Sequence, residues 1–182
     1  MTGQDDSGRA ALRARQGAGA RYDAEAAPHA DLLLARRGTA YFARKLNELD
    51  DRELDAPSLQ EGWTRRRLVA RVSLQARGLA IALKALREPL ILEEAEWRPD
   101  LALAATLPAR ALRHLFVHSA KHLDVEWRDL PGEGWDGPRI RLDGAEVAPR
   151  QTPRLRAIAV WHASVDLGNG GRWRDVPEEC RI

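Results

Sequence analysis

Apolar residues recur three or four apart in four stretches of the chain, which is the period of an amphipathic helix. Over residues 30–49, Leu32, Leu33, Ala40, Phe42, Leu46 and Leu49 form one stripe with charges between them. Over 64–87 the stripe is Leu68, Val72, Gln75, Leu79, Leu83 and Leu86. Thr64 stands where a hydroxyl can accept from a first-turn amide, and Pro89 follows the expected end. Over 106–127, Leu112, Leu115, Phe116, Ser119 and Leu123 face one way, with Pro108 in the first turn. Over 152–167, Thr152-Pro153 reads as an N-cap followed by proline at the first helical position, and Gly168 to Gly171 end the helix.

Between these stretches the pattern changes. Residues 139–148 read as a short β-hairpin turning at Asp143-Gly144, a pair suited to positive φ. Residues 89–105 fit no single period. Residues 1–27 are rich in Gly, Asp, Arg and Ala, bury little, and read as a loosely ordered tail with at most a short helix over 10–15. The last eleven residues are expected to be loose. The chain therefore reads as all-α: an up-down four-helix bundle over 28–178, with a long crossover and one small hairpin.

Composition narrows the function. The 29 basic and 27 acidic residues leave a net charge of +2, which argues against a nucleic-acid binder despite a pI near 9.0. The basic runs at Arg65-Arg66-Arg67 and over 9–21 read as solvated faces, with a phosphate-binding patch the alternative. Cys180 is the single cysteine, so neither an internal disulfide nor a CxxC metal or redox motif exists. No apolar run reaches about 20 residues and the N-terminus lacks an apolar signal core, so a soluble, cytoplasmic chain is expected. No phosphate loop, GxGxxG or glycine elbow around a serine is present.

Two places carry candidate chemistry. His114, His118 and His122 lie four apart, with Glu126 four further on. Such residues share one helix face, and an i, i+4 histidine pair can hold zinc. The competing reading is a half-exposed row bonded to neighbouring side chains. His118 with His114 and Glu126 is the metal site this row would offer. Trp161-His162 is the second candidate, against the plainer reading of a packed, hydrogen-bonded histidine.

Several segments occur in an order and spacing that is difficult to attribute to chance. They are Ala35-Arg36-Arg37-Gly38-Thr39-Ala40-Tyr41-Phe42, Glu61-Gly62-Trp63-Thr64-Arg65, and Ala105-Thr106-Leu107-Pro108-Ala109-Arg110. Val125-Glu126-Trp127-Arg128-Asp129-Leu130-Pro131 and Val160-Trp161 with Val165-Asp166-Leu167 complete the set. Over about residues 30–178 the chain resembles the mycothiol-dependent maleylpyruvate isomerases of the DinB-like bundle superfamily.

That resemblance implies mycothiol as thiol cosubstrate, an actinobacterial setting, and one divalent metal, typically zinc, held by three ligands from two helices. It implies isomerisation of a small unsaturated carboxylate by thiolate addition, bond rotation and elimination. The ligand positions are altered here. The second-helix Ala-His-Val motif reads Ala70-Arg71-Val72, and the fourth-helix Glu-Val-Trp-x-His pattern reads Ala159-Val160-Trp161-His162-Ala163. His162 is displaced by one residue, about 100° around the helix. A degenerate metal site is therefore expected, with Arg71, Gln75, Trp161 and His162 as candidate pocket and anion-binding residues. The sterol-carrier-like C-terminal domain that the resemblance implies for longer relatives is expected to be absent. Isomerase or thiol-transferase chemistry, a non-catalytic anion- or thiol-binding module, a homo-oligomer, and a partner of an intact paralogue all fit this frame.

Overall fold

The computed structural model describes residues 22–90 and 99–181. The segment over 1–21, with its basic run and the short helix expected over 10–15, lies outside the described residues, as does 91–98 with Trp97.

Four long helices form the bundle: α1 His29–Asn47, α2 Arg65–Lys84, α4 Ala109–Asp129 and α5 Thr152–Asp166. A five-residue helix, α3 Leu101–Ala105, occupies part of the stretch that fitted no period; the Asp100 carboxylate caps its Ala102 and Leu103 amides. The spacing of Leu32, Ala35, Phe42 and Leu46 seals one face of α1. Helix α2 is buried over much more of its circumference, from Leu68 to Leu83, because α4 and α5 both pack on it. Helix α1 lies along α5, and Phe42 meets Phe116 of α4 at 5.0 Å. Among the described residues, no helix is long and apolar enough to cross a membrane.

Helix ends are closed by named groups. The Thr64 hydroxyl accepts from the Arg67 amide at 3.2 Å, as its position predicts. Arg113 donates to the carbonyls of Leu46 and Leu49 at the end of α1, at 2.6 and 2.7 Å. Arg65 donates to Leu167 and Gly168 beyond α5, at 2.7 and 3.1 Å. Cations at these ends meet both the orphan carbonyls and the negative pole of the helix dipole. Arg66 pairs with Asp55 at 2.8 Å, and Arg67 lies over Trp63. The basic run at 65–67 is thus a set of clamps and stacked cations rather than a solvated face.

The hairpin consists of β1 Ile140–Leu142 and β2 Ala145–Val147, antiparallel, with Ile140 opposite Val147. Asp143 and Gly144 take φ of 49° and 85°, the backbone that this two-residue turn demands. Ile140 and Val147 are buried, and β1 rests against α2.

Four expectations need correction. Thr152 is the first helical residue of α5, not its cap, because a 3-10 turn at Pro149–Gln151 leads into the helix. Its hydroxyl donates to the Pro149 carbonyl and accepts from the Trp127 indole. Helix α4 begins after Pro108 rather than near Thr106. The last eleven residues pack, up to Arg181: Val176 and Cys180 are buried, and Tyr41 donates to Asp175 at 3.0 Å. The described part of the tail is also held. Asp23 forms a two-pronged pair with Arg36, at 2.6 and 2.7 Å, and Arg36 reaches Asp124 of α4 at 2.7 Å. The Arg36 guanidinium holds the Asp23 carboxyl below its usual range.

Candidate functional site

A cleft of about 1440 Å³ opens between α2 and α5, bounded by α3, the hairpin tip and the loop before α2. Residues Arg71, Gln75, Gly78 and Ala82 of α2 face it, which is the i, i+4, i+7, i+11 stripe of one helix side. From α5 come Ala159, His162, Ala163 and Asp166. Trp63, Arg141 and Asp143 form part of the rim. Arg71, Gln75, Ala159, His162 and Ala163 therefore meet in one space, although they come from two helices some ninety residues apart in sequence.

Arg71 is exposed, and its guanidinium lies 5.4 Å from the centre of the Trp63 ring. Among the described residues it has no carboxylate partner. The ring face attracts the cation and fixes its plane without neutralising it. His162 is half-buried. Its Nε2 donates to the Cys180 carbonyl at 2.7 Å, because a carbonyl can only accept. Its ring meets Trp173 edge-on at 4.8 Å. Burial pushes the Cys180 thiol up, which keeps it protonated and unreactive.

Trp161 does not line the cleft. Two residues beyond Ala159 is about 200° around a helix, so it faces α1 instead. There it stacks on Tyr41 at 5.1 Å and donates to the Leu34 carbonyl at 3.1 Å.

Two residues that sequence reading passed over belong to the cleft or its backing. Asp166 lines the cleft with no hydrogen-bond or ion-pair partner for its carboxylate among the described residues. Burial pushes its pKa up, and nearby His162 partly opposes this. Arg156 is 1% exposed and lies behind the α2 wall. It donates to the Val72 carbonyl at 2.6 Å and to Gln75 Oε1 at 3.2 Å. Its second terminal nitrogen is buried without a partner. Burial, with no counter-ion, pushes its pKa down to about 9, so it remains a cation at neutral pH. The signal was available: Arg156 and Ala163 lie seven residues apart, two turns, on the buried side of α5.

The residues present do not fit a divalent metal. Arg71 repels a cation and carries no acceptor, and two alanines offer no donor atom. Among the described residues no cluster of three His, Cys, Asp or Glu side chains could hold a metal ion. The histidine row on α4 does not supply one either. His114 and His118 are exposed with rings 6.0 Å apart, and His114 lies twelve residues, about 18 Å, from Glu126. Glu126 is engaged by Arg87 through one oxygen and by His122 at 3.2 Å through the other.

The fold is thus a helical bundle with a cleft of mixed apolar and polar lining between its second and last long helices. Residues 35–168 match the family model of the mycothiol maleylpyruvate isomerase N-terminal domain, and the chain belongs to that family. Two solved structures are similar: the mycothiol-dependent maleylpyruvate isomerase and its histidine-to-alanine variant. Each is 33% identical with a TM-score of 0.74, over 84% of this chain and 65% of the other. The chain thus spans less than two thirds of the length of these solved relatives. No curated protein matches it significantly.

Proposed function

We propose that this chain is a metal-independent member of its family whose cleft binds a small unsaturated carboxylate, with mycothiol as the companion thiol. The observation that carries the reading is the meeting of Arg71, Ala159 and Ala163 on one cleft. The resemblance makes these the family's metal-ligand positions, and on this reading a fixed cation takes the place of a bound one. An arginine stays protonated at any physiological pH and presents a planar fork of donors to a carboxylate. The two alanines leave room for the ligand.

Thiolate addition to a cis double bond, rotation and elimination returns the thiolate and needs no redox partner. Without a metal, nothing in the cleft lowers a thiol pKa as strongly, so turnover is slow and binding is the principal activity. The reading places the protein in the cytoplasm of a mycothiol-producing actinobacterium.

Elemental analysis of the purified protein, paired with calorimetric titration of maleate and of mycothiol, tests it. Expected are sub-stoichiometric zinc, maleate binding lost in Arg71→Ala, and isomerase turnover far below that of a metal-bearing relative. Stoichiometric zinc, or no maleate binding, overturns it. Binding of both ligands with no turnover at all identifies a non-catalytic module.

A further inference from the structure

Gln75 follows Arg71 by one helical turn on the α2 wall of the cleft. A glutamine amide is ambivalent: one end accepts and the other donates. Here the ambiguity is removed from behind. Arg156 Nη1 donates to Gln75 Oε1 at 3.2 Å, and a guanidinium has donors only. The oxygen must therefore turn towards Arg156, and the amide NH2 must turn away from it. That NH2 makes no hydrogen bond among the described residues and is not enclosed by protein atoms. It is left to face the cleft.

Arg156 is itself held in place by the Val72 carbonyl at 2.6 Å. It is 1% exposed, has no carboxylate partner among the described residues, and keeps one buried nitrogen unpaired. A buried, uncompensated charge is costly unless some anion approaches it.

We propose that Arg156 is a positioning residue that makes the cleft selective for carboxylates. It turns the Gln75 amide so that its NH2 joins the Arg71 fork in gripping the ligand, and the bound anion offsets the buried Arg156 charge. This rests on the reading of the cleft as a carboxylate site and adds the residues that set its preference.

The test uses the full chain with maleate and its neutral diamide as probes, Kd by calorimetry, and the Gln75 side-chain amide resonances by NMR. Maleate should shift the Gln75 amide signals in the parent protein. Gln75→Leu should weaken maleate about tenfold and the diamide by clearly less, because a bond to a charged oxygen is the stronger one. Arg156→Met, which replaces a buried cation by a side chain of similar volume, should remove both the amide shift and the preference for maleate over diamide. Gln75→Glu keeps the contact with Arg156 and should repel maleate, so it carries the test if Arg156→Met fails to fold. Maleate binding that needs Arg71 but is unchanged in both Gln75 variants overturns this proposal alone. Equal losses for maleate and diamide overturn it too, since they mark a purely structural role. No maleate binding by the parent protein overturns both readings.

Discussion

Helix α5 packs mainly on two long helices, α1 and α2, and meets them in opposite ways. Towards α1 the contact is closed. Gly38 brings the backbone of α1 so near that a methyl group there would lie 2.6 Å from Val160 Cγ2 and 2.8 Å from the Trp161 indole. Trp161 fills the seam, stacked on Tyr41 and bonded to Leu34. Towards α2 the contact closes around Arg156 but opens beyond it, where Ala159 and Ala163 give α5 little to insert and the cleft remains. One helix therefore serves as both keystone and cleft wall. The size of the side chain at each position decides which role a face takes.

Trp161→Ala breaks the closed side and has the largest expected effect. Loss of a buried tryptophan with its hydrogen bond should cost about 3–5 kcal/mol and lower Tm by on the order of 10 °C, read by thermal melting followed by circular dichroism. Ala159→Leu is the matching change on the open side. A leucine there fills existing space, so Tm should stay within about 2 °C of the parent while maleate binding in calorimetry disappears. A large loss of stability would show that the open face is packed after all.

Asp166→Asn sharpens the comparison by charge. Burial raises the Asp166 pKa, so the folded state favours the protonated acid. Its stability contribution is intact below the ordinary carboxylate pKa of about 4 and falls as pH rises through the higher folded value. The variant should melt about 1–2 °C higher than the parent at pH 7, and the difference should vanish near pH 3. A difference independent of pH would remove the burial argument.

The helices were legible because their apolar stripes are long and punctuated. The hairpin was legible because Asp143-Gly144 names its own turn. Thr152 misled because threonine before proline looks like a cap, while the turn at Pro149–Gln151 had already started the helix. Trp161 misled through adjacency: next to His162 in sequence, it faces another helix in space. Arg156 was passed over because an arginine in a helix is ordinarily a surface residue. Only its place two turns before the buried Ala163 puts it inside. The packing of Val176 and Cys180 was invisible because it depends on contacts made across the fold, with no periodic signal of its own.

The hairpin has a consequence for how this cleft can change over time. Leu142, Asp143 and Gly144 form part of the rim, yet they belong to a unit of two three-residue strands that rests on α2 mainly through β1. The turn can be lengthened, shortened or exchanged without disturbing the buried seams among the long helices. Bundle and rim are separately editable, so ligand preference can drift through a handful of surface positions while the fold remains under unchanged selection.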